Sequence, residues 1–410
     1  MMENQQAELL RSWVQVPTQS DFTIYNLPFG IFRNKRLSPR VGVAIGDKIV
    51  DLSALQEAGF FQDIKLDEEV FLQDSLNPFI SLGRSTTKKV RDRVQQLLNE
   101  ENSDLRDHQS RGKIMVGLKE AEMMMPVKVR DCTVYEDQSY GVVGDNTSLS
   151  LFPEGTPRKV STIFPSGTAF HRPKSPIKAL DNANLEFGPC RKLDFGMSLA
   201  FVVGKSNRFG ESIAVTDAED YVFGALLFND WAARDVYSQW GSGGAHAGKS
   251  FASGISHWII PIDALEPFRV SSPAAHPDTM PYLRENHEQS GFDLQLEAYL
   301  KPDKGSEALV CQTNVKFSAW SASQLVAQHT VNGATIEIGE LIVSGTCSKP
   351  EGQQYRSLSE FPVDNPAFLE DRTTREYLQD GDTIVLRGFA EKDNIRVGFG
   401  ELIGKVLPAK

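Results

Sequence analysis

Cysteine is scarce in this 410-residue chain: four residues, Cys132, Cys190, Cys311 and Cys347, with no CxxC pair among them. Such spacing argues against a zinc site or a disulfide framework and suits a reducing compartment such as the cytoplasm. Basic runs are missing too, and acidic residues outnumber basic ones 54 to 43, a net charge of -11. A nucleic-acid or anionic-membrane surface is therefore not expected. No run approaches the roughly 18 apolar residues of a membrane span, and MMENQQAELLRSW has neither the basic start nor the apolar centre of an export leader. Internal repeats and low-complexity tracts are absent as well.

What is present is ordinary globular composition, 40% hydrophobic and 24% charged, at a length that supports two domains. Residues 40–45 and 48–52 alternate in strand fashion around Gly46-Asp47, a hairpin signal. From 67 to about 102 the pattern turns helical, with Val90, Val94, Leu97 and Leu98 as one apolar stripe. A polar stretch at 100–113 precedes a new apolar element, which places a domain boundary near residue 120. Beyond it, strand-like runs recur at 193–203, 222–228, 258–260, 292–300, 339–343 and 383–386, with helical spacing mainly at 230–240 and 321–329.

Chemistry concentrates in FGALLFNDWAARDVYSQWGSGGAHAGKSF, residues 223–251. An apolar strand ends at Asn229, a good helix N-cap, and Asp230 then suits the positive end of a helix dipole. Helical spacing would put Asp230, Arg234 and Tyr237 on one face and make Asp230 a salt-bridge partner for Arg234. A glycine-rich turn follows, carrying His246 and delivering Lys249 to the next apolar run. Together these make one wall of a small-molecule site.

The pieces FNDWAARD and GKSF, with PSGTAFHRP, CRKLDF, VNG, GELIVSGT and RVGFGELIGKVLPA in the same order, resemble the fumarylacetoacetate hydrolase family along nearly the whole chain. The resemblance implies a β-rich α+β fold: a small SH3-like N-terminal barrel (1–120) and a larger mixed β-roll (121–410), assembled as a homodimer. Family members that hydrolyse a carbon–carbon bond hold magnesium or calcium with four carboxylates, the oxygen-rich set such hard cations need. Laid on this sequence, three of those positions fall on Val134, Gly196 and Ser198, and only Asp230 keeps its carboxylate. Glu136 or Asp137 could substitute only through a shifted register. The family's general-base histidine falls on Gly141, while its glutamate partner corresponds to Glu360.

The resemblance also assigns Lys249 and Thr346 to substrate and oxyanion binding. Burial beside Arg234 would fit Lys249 as a base or Schiff-base nucleophile, but electrostatic stabilisation of an enolate is the simpler role. His246 is either a new acid/base or an exposed loop residue. His329 reads as a structural hydrogen-bonding residue. The expected catalytic set is thus Lys249, Tyr237, His246 and Glu360, with Asp230, Arg234 and Thr346 binding substrate and no metal or other cofactor. The preferred reading is a repurposed, non-hydrolytic enzyme acting on an enolisable dicarbonyl-like or polyketide-like molecule by cyclisation, isomerisation, condensation or decarboxylation in a specialised biosynthetic pathway. Its alternatives are an inactive ligand- or partner-binding homologue and a metal-dependent acylpyruvate or fumarylacetoacetate hydrolase.

Overall fold

The structure, a computed structural model, describes residues 9–136, 151–178, 184–237, 248–273, 278–285, 289–345, 355–362, 367–368 and 374–410, with the backbone alone at 136, 178, 237 and 368. The hairpin signal at Gly46-Asp47 sits where it should. Gly46 turns at φ 55°, a left-handed value that glycine adopts without steric cost, and Arg40–Ile45 pairs antiparallel with Lys48–Asp51. These strands are the centre of a five-stranded sheet completed by Met115–Gly117 on one side and by Phe29–Arg33 and Glu122–Met123 on the other. The apolar stripe of the 67–102 segment resolves into a helix over Arg84–Leu98 that buries Val90, Val94, Leu97 and Leu98.

Those side chains join a core shared with the rest of the chain. Phe29 packs on Phe79 and Phe223 with ring centroids 5.0 and 5.9 Å apart, and its backbone exchanges hydrogen bonds with Ile259. Val134, Ala200, Leu226, Phe228 and Val343 line the same cluster from the other side. The N-terminal sheet is therefore one wall of a continuous apolar interior.

An eight-stranded mixed sheet forms that opposite wall. Its order runs Glu154–Pro157, Cys132–Glu136, Leu341–Gly345, Met197–Val203, Val222–Asp230, Ser253–Ile255 and Ile163–Pro165, with Ile260–Pro261 paired to the side of the Val222 strand. Every residue of Met197–Val203 and of Val222–Asp230 is buried, as expected for central strands covered on both faces. A five-stranded sheet covers the second face. It orders Ala308–Asn314, Gln295–Lys301, Thr383–Lys392, Ile395–Leu407 and Thr168–His171. Gly404 lets the two sheets approach: a Cβ there would lie 2.6 Å from the buried Trp231 ring.

Two local expectations change. The 383–386 strand runs on to Lys392 and turns back through Asp393-Asn394, whose φ values of 52° and 63° suit the tight primed hairpin that Asp and Asn favour. More consequential, the Val222 strand does not end at Asn229. Asn229 pairs with Met197 and Gly254, and Asp230 with Ser253, so both belong to the sheet. The described helix is Arg234–Tyr237 alone, and the one-face arrangement of Asp230, Arg234 and Tyr237 does not exist. Ladder bonds on both flanks outweigh a local capping signal.

Candidate active site

Alternation along the central strands fixes what faces what. Ser198 lies opposite Phe228 and Gly345, Val134 opposite Val343, and Asp230 two residues beyond Phe228, so Val134, Ser198 and Asp230 share one sheet face. Gly196 is adjacent: its carbonyl accepts from the Asp230 amide at 3.0 Å, and a Cβ there would lie 3.5 Å from that of Asp230. Of the positions at which the resemblance expects metal ligands, Gly196 and Ser198 lie on the strand beside Asp230, and Val134 is on the same face but level with Ala200, farther along the sheet.

Asp230 is buried, and two cations meet it. Arg158, which follows the Glu154–Pro157 edge strand, donates from Nε to Oδ1 at 2.8 Å and from Nη2 to Oδ2 at 2.9 Å. Lys249 Nζ donates to Oδ2 at 3.1 Å. Arg158 is itself held: its amide donates to the Cys132 carbonyl at 2.8 Å and its Nη1 to the Thr156 carbonyl at 3.0 Å. Burial alone would push the Asp230 carboxyl up, but the charges of Lys249 and Arg158 overturn that and hold it well below the usual carboxylate range. Cys132, alongside, is driven the other way by burial and stays a thiol.

These residues do not fit a hard divalent cation. Magnesium or calcium needs several carboxylate or carbonyl oxygens, whereas among the described residues at these positions the one carboxylate carries a bidentate guanidinium and an ammonium; the Glu136 side chain and Asp137 lie outside the described residues. Among the described residues no group of three or more His, Cys, Asp or Glu side chains is gathered to hold a metal.

Arg234 faces a different partner from the one expected. Its guanidinium lies 3.1 Å from Oδ2 of the fully buried Asp194, and it also reaches Ser357 Oγ at 3.4 Å. Asp194 accepts further from the amides of Phe195, Leu358 and Ser359 at 2.9, 3.0 and 3.2 Å. One carboxylate therefore ties Arg234 to the segment bearing Glu360. Glu360 is engaged by Arg356, at 2.6 Å from Nε and 3.0 Å from the amide. Tyr237 closes the short helix, with only its backbone described, while His246 and Thr346 lie outside the described residues. His329 accepts from or donates to Tyr135 Oη at 2.7 Å and meets Glu340 at 2.8 Å on its other nitrogen. Reading by sequence missed Arg158 and Asp194. CRKLDF, which carries Asp194, was a signal of sorts; TPRKVST gave none for Arg158.

Comparison with known proteins settles the lineage. Residues 25–126 match the model for the fumarylacetoacetase N-terminal domain, and residues 145–407 that for the fumarylacetoacetate (FAA) hydrolase C-terminal domain. The chain belongs to the fumarylacetoacetate hydrolase family. It is 36% identical to a fumarylacetoacetase of Oryza sativa subsp. japonica over 98% of both chains. Against the fumarylacetoacetase of Homo sapiens identity is 35%, over 97% of this chain and 99% of the relative. Among solved structures, maleylpyruvate hydrolase from Sphingobium sp. SYK-6 shares the fold at a TM-score of 0.51 and 16% identity, over 93% of this chain and 100% of that one. The β-rich α+β architecture, its mixed sheets rolled around a shared core, is that of this family.

Proposed function

We propose that the chain is an enzyme acting on an enolisable 1,3-dicarbonyl carboxylic acid of the fumarylacetoacetate or acylpyruvate type, and that it cleaves a carbon–carbon bond hydrolytically. The observation that carries this reading is the buried Lys249–Asp230–Arg158 cluster at the end of the central strand, in a chain matched end to end by relatives named fumarylacetoacetase. In such a cleavage the oxygen of water bonds to a ketone carbon, and the adjacent carbon leaves with the electron pair as an enolate. That enolate then takes up a proton. Fixed cations in a water-poor site favour both the oxyanion and the departing enolate, because they are already oriented when charge develops. Lys249 is the group we assign to this task. Arg234, held by Asp194, suits the substrate carboxylate. Thr346 and Tyr237 complete the binding set, and His246, three residues before Lys249, is our candidate for proton transfer.

The second reading is non-hydrolytic: isomerisation, cyclisation or condensation of a related, polyketide-like molecule. What favours it is Gly141, where the family resemblance expects the water-activating histidine. Stabilising an enolate without activating water suits such a reaction. A homodimer, a cytoplasmic setting and the division at residue 120 complete the proposal; no described helix is long and apolar enough to cross a membrane.

An ultraviolet assay on fumarylacetoacetate and simple acylpyruvates tests both readings. Loss of the diketone absorbance with release of the two acids, abolished by Lys249→Met, is the expected result. Release of no acid but conversion to an isomer or cyclised product would move the assignment to the second reading. A Lys249→Met protein that turned over normally would sink both.

A further inference from the structure

Gly196 and Ser198, two positions that could have held a metal ion, lie on the strand beside Asp230, yet the group that meets its carboxylate is Arg158, from the end of an edge strand that does not pair with Asp230's own. We infer that the Arg158 guanidinium stands in the divalent cation's place, as a counter-cation built covalently into the chain, so that the site works without a bound metal. The inference deepens the proposed function and relies on it for where the substrate sits.

Three observations support it. Both carboxylate oxygens of Asp230 are taken in the paired geometry that guanidinium and carboxylate share, and Lys249 adds a third donor on Oδ2. Magnesium or calcium would need those same lone pairs at bond lengths of about 2.0–2.6 Å. Next, Arg158 is anchored rather than draped: its side chain is 1% exposed, its Nη1 donates to Thr156 and Pro157 carbonyls, and its amide is bonded to Cys132. It cannot swing aside without leaving a buried guanidinium and two carbonyls to be satisfied elsewhere. Finally, a metal ion approaching Asp230 would meet two positive charges already in contact with it, a repulsion that low dielectric magnifies.

A guanidinium stays protonated at any pH at which the protein is folded, and no chelator removes it. The functional consequence is a site whose positive charge is independent of the metal supply. What the chain gives up is an exchangeable ligand position on the cation, so the substrate must be oriented by side chains alone.

The test uses the full-length protein, purified without chelator. Elemental analysis is combined with titration of magnesium, calcium or manganese chloride, followed by melting temperature. The wild type should carry no stoichiometric metal and show no saturable shift. The variant Arg158→Gln/Gly196→Glu/Ser198→Glu, which removes the guanidinium and returns two carboxylates to the same strand face, should gain a saturable shift with calcium or manganese. One equivalent of divalent metal in the wild type, or a wild-type shift that Asp230→Asn abolishes, would overturn the inference. Should the triple variant fail to fold, the wild-type titration still decides. Turnover is not read in this experiment, so a silent substrate assay and a metal-bound protein are separate failures.

Discussion

Arg158 and Asp230, 72 residues apart in sequence, form a bidentate pair at 2.8 and 2.9 Å with side chains only 1% and 6% exposed. Two charges so deeply buried are tolerable because each satisfies the other. Lys249 depends on the same carboxylate.

Substituting Asp230 by Asn should therefore be severe, since it leaves two buried cations without their anion. A loss of about 3–5 kcal/mol is expected, read by urea unfolding. The pair also sets an acid limit. The folded carboxyl lies below its unfolded value, so its contribution is fully present above the unfolded pKa, about 3.9, and fades as pH falls from there towards the folded pKa. The stability gap between wild type and Asp230→Asn should accordingly be flat from pH 5 to 8 and narrow on further acidification. A gap that instead opened as pH fell would contradict the pairing.

Asp194 acts through others, as a positioning residue. It gathers Arg234 and the amides of Leu358 and Ser359 around one buried carboxylate. In Asp194→Asn, Arg234 loses its charged partner and the 357–360 segment loses an anchor. About 1.5–3 kcal/mol should go with the charged hydrogen bonds, and limited proteolysis should newly cut near residue 358. If Arg234 binds the substrate carboxylate, KM for the diketo acid should rise at least tenfold with kcat less affected. An equal loss in kcat with KM unchanged would place Asp194 elsewhere in the mechanism.

His329 bridges Tyr135 and Glu340, which faces it from the buried side. Burial first, and then the charge on Glu340, push the Tyr135 phenol up, so it remains a donor. Tyr135 Oη can then donate to Nδ1 in the tautomer whose Nε2–H donates to Glu340. Tyr135→Phe removes one bond and leaves the histidine with its glutamate, a cost of about 1 kcal/mol. His329→Leu strands two buried polar groups and should cost about 2–4 kcal/mol by the same measurement. Equal losses from the two variants would mean that the chain of hydrogen bonds is not the source of stability here.

Much of the architecture was legible because it depends on short-range pattern. The stripe Val90, Val94, Leu97 and Leu98 has a helical period and forms one buried helix face, and Gly46 turns a hairpin between two alternating runs. The family, too, was readable from ordered motifs, FNDWAARD and GKSF above all. The site was legible only in part. Lys249 and Asp230 do belong together, at 3.1 Å, but Asp230 was assigned to a helix and to Arg234. Asn229 and Asp230 look like a helix start in isolation; cross-strand bonds to Met197, Gly254 and Ser253 keep them in the sheet.

By itself the sequence determined the lineage and the β-rich fold, since each is a matter of residue identity and local period. Which charges meet was decided by tertiary structure alone. Asp194 reaches Arg234 because Leu193–Asp194 pairs with Ala232–Ala233, and Arg158 reaches Asp230 from the end of an edge strand that does not pair with Asp230's own; buried there, a carboxylate must take whichever cation the fold delivers.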